Sequence, residues 1–287
     1  MSSFLQSYKR QAKLFIDLPS GGVYYDDSII EDAKYTQMPV FGMNAMDEIL
    51  FKTPDALFTG DATAEVIKSC IPSILDPWKI VGFDIDYILL AIRIATYGDE
   101  MPVNTSCPKC DTETESVLSL TQLIGSYSNY EVSHNFALDD LTFHLRPLSY
   151  REMSDFSTEN YTYERQQIQI AGNTSMSDED KDAMTKQLYE QTNTMNLRVA
   201  LTYIKSVENS VDTETNLDAI TQFVTENDAK FYNELKENIF ELSNRWKIPN
   251  TNCQCSNEEC NFDYQTKIDM DYSNFFGLKF LHARNLI

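Results

Sequence analysis

Six cysteines lie in this chain, and five of them fall into two groups. Cys107-Pro-Lys-Cys110 puts two residues between two thiols. That spacing lets both thiolates reach one ion while the turn between them offers backbone N–H groups to the sulfurs. A tetrahedral structural zinc site takes four ligands at about 2.3 Å, so a second pair is required. Cys253-Gln-Cys255-Ser-Asn-Glu-Glu-Cys260 offers three cysteines for the two remaining places. Cys255 with Cys260 is the favoured pair, because a four-residue spacer makes a workable knuckle and Phe262-Asp-Tyr264 behind it suits the strand of a zinc ribbon. Cys253 with Cys260 is the alternative, and Cys253 with Cys255 is tight for a chelate. The expected cofactor is one structural zinc ion on Cys107, Cys110, Cys255 and Cys260, anchoring both ends of the intervening chain, with metal binding acting as folding energy.

Other chemistry finds less support. Catalytic zinc keeps an open position and usually recruits histidine or a carboxylate. His134, His144 and His282 are the only histidines, and none sits at ligand spacing to another. A redox Cys-x-x-Cys needs one pair only and leaves the second group unexplained. Cys70 stands alone on an apolar stretch and reads as core. The chain has no Gly-rich phosphate loop, no Gly-x-Ser-x-Gly and no His-Glu-x-x-His. Asp84 and Asp86 suit a helix cap and first turn better than an acid–base pair. No catalytic residue is expected, and the reading is a binding or assembly protein. The contrasting reading is a zinc- or thiol-dependent enzyme.

The balance of 23 Lys plus Arg against 44 Asp plus Glu gives a net charge of −21 over 287 residues. Binding to nucleic acid rests on cations that neutralise phosphate, and no Lys/Arg run supplies them, so nucleic acid is excluded as the main partner. Such acidity suits a solvated surface or a basic protein partner. The longest apolar stretch, Tyr87 to Ile92, falls well short of the roughly 20 residues needed to span a bilayer, so no membrane is expected. The N-terminus shows no apolar run before a small-residue cleavage site. The expected setting is the reducing cytosol, where paired cysteines read as metal ligands before disulfides.

The fold that must position these thiols reads as α+β, mostly helical, with a small β-hairpin and a zinc-ribbon-like four-cysteine module. Residues 1–100 form an N-terminal mixed domain, in which Leu18-Pro-Ser-Gly-Gly22 turns and Val23-Tyr24-Tyr25 suits a strand. Short helices follow at 47–51, 55–58 and 63–71. A strong helix over 84–96 carries Ile85, Ile88, Leu89 and Ile92 at helical spacing, with Asp84 as its cap. Residues 101–148 and 248–277 form the zinc-ribbon/β module. It includes a hairpin of His134–Leu138 and Leu141–Arg146 about Asp139-Asp140, in which Leu141, Phe143 and Leu145 alternate with polar residues. Residues 149–247 form a helical insertion. Ser149 with Glu152 makes a capping box there, and Ser177 with Asp180 starts a helix running to about Val207. Leu217, Ile220, Phe223 and Val224 make a short apolar face. Thr225 or Asn227 caps a last helix. Residues 278–287 are an apolar tail that packs on its own core or on a neighbour.

Several segments in order resemble one family: Leu18-Pro-Ser-Gly-Gly-Val-Tyr-Tyr25, Asp47-Glu48-Ile-Leu, Thr53-Pro54-Asp55-Ala-Leu, Ile67-Lys-Ser-Cys-Ile-Pro72, Ala91-Ile-Arg-Ile-Ala-Thr-Tyr-Gly98 and Cys107-Pro-Lys-Cys110. Leu145-Arg-Pro-Leu148 and Asn274-Phe-Phe-Gly277 join them. The sequence resembles the T-even-type bacteriophage baseplate hub family of contractile-tailed phages, well over its first 150 residues and partly over its last 35. The resemblance implies a non-enzymatic part in building or completing the central hub. It implies other hub components or the tape-measure protein as partners, with possible self-association. The implied location is the host cytoplasm during assembly, or the tail baseplate of the virion.

Overall fold

The computed structural model describes residues 9–31, 36–53, 59–126, 134–245, 247 and 250–266. The predicted helix over 55–58, Pro249 and the tail 278–287 lie outside them. The fold is α+β as expected, and the described residues form four small antiparallel sheets beside the helices. The chain divides into two compact units, residues 1–130 with 247–287, and residues 131–246.

In the first unit, β1 (Ala12–Ile16) pairs with β2 (Met38–Phe41). Helices α1 (Ala45–Phe51), α2 (Asp61–Cys70) and α3 (Gly82–Tyr97) follow. The core gathers on α3, where Ile85, Ile88, Leu89, Leu90 and Ile92 are fully buried beside Ile30, Met38, Val40 and Ile67. A helix apolar all round belongs inside a core, and α3 ends where Gly98 takes φ 92°, which a side chain would resist.

Two expectations change here. Val23 and Tyr24 lie in successive turns, not a strand, because Gly21 and Gly22 both take positive φ and Tyr25 N–H bonds back to Gly22 at 3.0 Å. Asp84 is no cap either. Val81 holds the cap position, and Asp84 sits in the first turn, fully buried. Its carboxylate accepts from Ser20 N–H at 3.1 Å and from the Tyr25 hydroxyl at 2.5 Å, while that hydroxyl accepts from Val81 N–H at 3.1 Å. The turn therefore docks on the start of α3 through one buried acid. This long-range link has no signature in local spacing.

The first unit continues through β3 (Glu100–Ser106), β4 (Glu113–Ser119) and α4 (Leu120–Ser126), and ends with β9 (Thr251–Gln254) and β10 (Asp263–Thr266). The second unit holds a four-stranded sheet ordered β5 (His134–Leu138), β6 (Leu141–Leu145), β7 (Ile204–Glu208) and β8 (Thr213–Glu214). Between β6 and β7 runs a helical hairpin of α5 (Tyr150–Gly172) and α6 (Asp178–Thr202). After β8 come α7 (Leu217–Glu226) and α8 (Ala229–Asn244).

The capping box of Ser149 and Glu152 forms as its spacing predicts. Glu152 also takes a bidentate contact from Arg146 at 2.7 and 2.9 Å. The helix begun by Ser177 stops at Thr202, short of Val207, because the chain turns at Tyr203 and the next residues pair with β6. Arg146 N–H bonds the Tyr203 carbonyl at 2.8 Å, fixing that exit. The hairpin of 134–145 thus joins strands from beyond α6 and not the cysteine strands. Fully buried Phe143 anchors this unit, stacked on Phe136 at 5.2 Å and tilted against Phe231 at 6.1 Å. Asp228 accepts from Phe231 N–H at 2.8 Å at the start of α8, in place of the expected Thr225 or Asn227.

Burial lifts the Asp84 carboxyl to about 6, against the pull of its hydrogen bonds from Ser20 and Tyr25. A folded value above the unfolded one means that the native state holds the proton more tightly. The associated stability is present at low pH and lost as pH rises through about 6. In urea melts the wild type should gain about 2–3 kcal/mol over Asp84→Asn on going from about pH 7 to about pH 4. A difference independent of pH contradicts this account.

Candidate metal centre

Two hairpins of the first unit carry the cysteine clusters at their turns. In one, β3 and β4 pair from Glu100↔Ser119 to Ser106↔Glu113, and Cys107 to Thr112 close the end. Cys107 N–H bonds the Thr112 carbonyl at 3.0 Å, and Asp111 N–H returns to the Cys107 carbonyl at 2.9 Å. In the other, β9 and β10 pair from Thr251↔Thr266 to Gln254↔Asp263. There Cys255 N–H bonds the Phe262 carbonyl at 2.9 Å, and Asn261 N–H returns to the Asn257 carbonyl at 2.8 Å.

The two turns share a plan. In each, the second cysteine is followed by an acid or amide residue at positive φ, 54° for Asp111 and 41° for Asn261. Asp and Asn are the side chains that tolerate this region best. In the second turn, Asn257 supplies the carbonyl that Cys107 supplies in the first. Cys255 stands two residues earlier, which is how a four-residue spacer reaches the place that a two-residue spacer reaches in Cys107-Pro-Lys-Cys110.

The hairpins are joined side to side. The Thr105 and Tyr264 hydroxyls meet at 2.6 Å, and the Thr114 hydroxyl meets the Ser256 hydroxyl at 3.2 Å and accepts from the Ser256 N–H at 3.2 Å. The Lys109 ammonium lies 5.4 Å from the centre of the Phe262 ring, a cation–π contact from turn to turn.

The sulfurs of Cys107, Cys110, Cys255 and Cys260 all lie within 4.8 Å of one another. Cys107 and Cys260 are 3.9 Å apart, and Cys110 and Cys255 are 3.5 Å apart. All are free thiols, since a disulfide would bring sulfurs to about 2.05 Å. Four sulfurs at about 2.3 Å from a central ion would stand about 3.8 Å from each other, the scale found here. Cys253 lies outside this group. It is buried on β9 opposite Tyr264 and packs behind the cluster, so the pair Cys253 with Cys260 is not the one brought together.

The thiols differ in acidity. The Thr112 hydroxyl and backbone N–H stabilise a thiolate on Cys110 and bring it down to about 6. Desolvation pushes Cys255 up, and together with its sulfur neighbours pushes Cys260 up to about 12. Four thiols at this distance cannot all ionise unless a cation offsets their charge. Cys70 is remote, buried near Arg10, and burial pushes it up to about 12 as for a core residue. His134 and His144 belong to the second unit, where His144 pairs with Glu208 at 3.0 Å. Sequence reading missed the parts played by Thr112, Thr114 and Asn257, while Tyr264 lies on a strand as its segment suggested. The repeated Cys-Asp and Cys-Asn steps were the available signal.

This architecture defines an α+β protein whose metal-ligating chemistry, among the described residues, is gathered in one four-thiol cluster on paired hairpins. A family model described as T4 bacteriophage base plate protein matches residues 43–277, well over half of the chain and inclusive of both hairpins. The chain belongs to that family and is a structural protein of the phage baseplate. Neither the curated proteins nor the solved structures give a match. Among the described residues, no helix is long and apolar enough to cross a membrane.

The two left-handed residues generate a prediction. Asp111→Val and Asn261→Val should each cost about 1–3 kcal/mol in chemical denaturation, because a β-branched side chain resists positive φ. Asp111→Gly and Asn261→Gly should be close to neutral. Equal losses for valine and glycine would contradict the shared turn geometry.

Proposed function

We propose that Cys107, Cys110, Cys255 and Cys260 hold one structural zinc ion in a zinc-ribbon-like module, and that the protein builds or completes the central hub of the phage baseplate. The observation that carries the metal reading is the set of sulfur separations, which match a tetrahedral site filled entirely by thiolates. Such a set leaves no position for water or substrate, so the ion acts on the fold and not on a reaction. Zinc suits this donor set, since tetrahedral arrays of thiolates bind zinc or iron and a structural site of four cysteines takes zinc.

Membership of the base plate family supports a role among other tail proteins. The motif order shared with hub proteins supports the hub in particular. The partners in this reading are other hub components or the tape-measure protein, met in the host cytoplasm during assembly. The tail 278–287 is a further docking element in the same reading. The net charge of −21 favours basic surfaces on those partners.

One experiment tests both parts. Tagged protein is isolated from infected cells as wild type, Cys260→Ser and Cys253→Ser. Wild type and Cys253→Ser should carry about one zinc per chain and bring hub or tape-measure components with them. Cys260→Ser should lose the zinc and the partners together. Zinc retained by Cys260→Ser overturns the ligand set, and wild type that brings down no hub or tape-measure component overturns the hub role.

A further inference from the structure

The four thiols of the metal centre have a second chemistry open to them. Cys110 and Cys255 lie 3.5 Å apart, and Cys107 and Cys260 lie 3.9 Å apart. Both contacts run from one hairpin to the other. The first is shorter than the roughly 3.8 Å between sulfurs that share a central ion. A disulfide holds its sulfurs at about 2.05 Å, so Cys110 and Cys255 need approach by only about 1.5 Å to bond.

Access divides the same pairs. Cys110 is exposed and Cys260 half-buried, while Cys107 and Cys255 are buried. Each contact between the hairpins therefore joins a thiol that a small oxidant reaches to one that it does not. In such a pair the oxidised cysteine is resolved by its neighbour before it is oxidised further. Cys253 is buried too, but it stands outside the group of four.

A baseplate protein travels with the virion, and virion surfaces are oxidising places where disulfides persist. A joint made only of thiolates and a metal would open there as its ligands were lost. We propose that Cys110 with Cys255, and Cys107 with Cys260, are sites of oxidative cross-linking, so that the hairpins are joined by the metal while the thiols are reduced and by disulfides once they are oxidised. The oxidant is a peroxide. The Cys110 sulfur attacks one peroxide oxygen, the O–O bond breaks, and a sulfenic acid and one water form. The Cys255 sulfur then attacks the Cys110 sulfur, the S–O bond breaks, and a second water leaves as the S–S bond forms. Two thiols have given up two electrons and two protons, and one peroxide has become two waters. Cys107 and Cys260 consume a second peroxide in the same way. An ion held by these sulfurs is released, since the thiolate is the metal ligand. The inference rests on the four-thiol cluster of the proposed function and adds the fate of that cluster on oxidation.

The test uses the full chain, purified under reducing conditions with its zinc content measured. It is treated with hydrogen peroxide, digested without reduction and read by mass spectrometry. Cleavage after Lys109 and after Glu259 separates the two cysteines of each turn. Fragments bearing Cys110 and Cys255 should be joined, and so should those bearing Cys107 and Cys260. Cys253→Ser should keep both links. The oxidised, metal-free chain should melt about 5 °C or more above the reduced, metal-free chain, because a cross-link over 145 positions restrains the unfolded state. Links confined to Cys107 with Cys110 and Cys255 with Cys260 overturn the proposal, as do links that need Cys253 or oxidised sulfurs left unlinked. So does an oxidised chain that melts no higher. Links between the hairpins in a chain that bears no zinc when reduced uphold this inference and overturn the zinc reading. Zinc in the reduced chain with links only inside the turns does the reverse.

Discussion

The arrangement of the first unit depends on two short hairpins meeting at their turns, although 145 residues separate Cys110 from Cys255. Closing so long a stretch costs conformational entropy that grows with the logarithm of its length. Besides the sulfurs, the direct contacts between the hairpins among the described residues are few: Thr105 with Tyr264, Ser256 with Thr114 and with the Glu113 carbonyl, and Lys109 over Phe262. Each such contact contributes about 1 kcal/mol on its own. Strands of four and seven residues have little apolar surface to add, and a lone two-stranded hairpin is marginal in water. A cation held by four thiolates, as proposed, supplies the missing attraction and offsets the charge of sulfurs crowded within 4.8 Å.

The consequence reaches along the chain. Residues 131–246 leave the first unit after β4 and α4 and return to it before β9. The second unit has its own sheet, its own aromatic core about Phe143 and its own capped helices, so its folding draws on different forces. The buried Asp84 makes a second long-range link in the first unit, tying the turn at Ser20–Tyr25 to α3. The proposed metal link and the Asp84 link each rest on a few polar or ionic groups, the second of them inside the apolar core about α3. Both are sensitive to the protonation of those groups.

The legible parts of the sequence were those whose causes are local. Ser149 with Glu152 announced its capping box, the apolar run of α3 announced a buried helix, and the alternation in Leu141–Leu145 announced a strand. The two cysteine groups announced themselves by spacing, and the structure brings four of the five together. What stayed hidden was set by partners far away. Ile204 to Val207 reads as the end of a helix, since neither Gly nor Pro interrupts it, and only pairing with β6 makes it a strand. Tyr25 reads as a strand residue, but it follows the turns at Gly21 and Gly22, and its hydroxyl bonds Asp84 far along the chain. Likewise Asn257 gave no sign that it would stand in for a cysteine carbonyl.

Zinc K-edge X-ray absorption on the purified full chain probes the central claim at the atoms concerned. The account predicts a first shell of four sulfurs at about 2.3 Å with no lighter scatterer. A shell with an oxygen or nitrogen at about 2.0 Å, or one fitted by fewer than four sulfurs, would contradict a closed site of four thiolates.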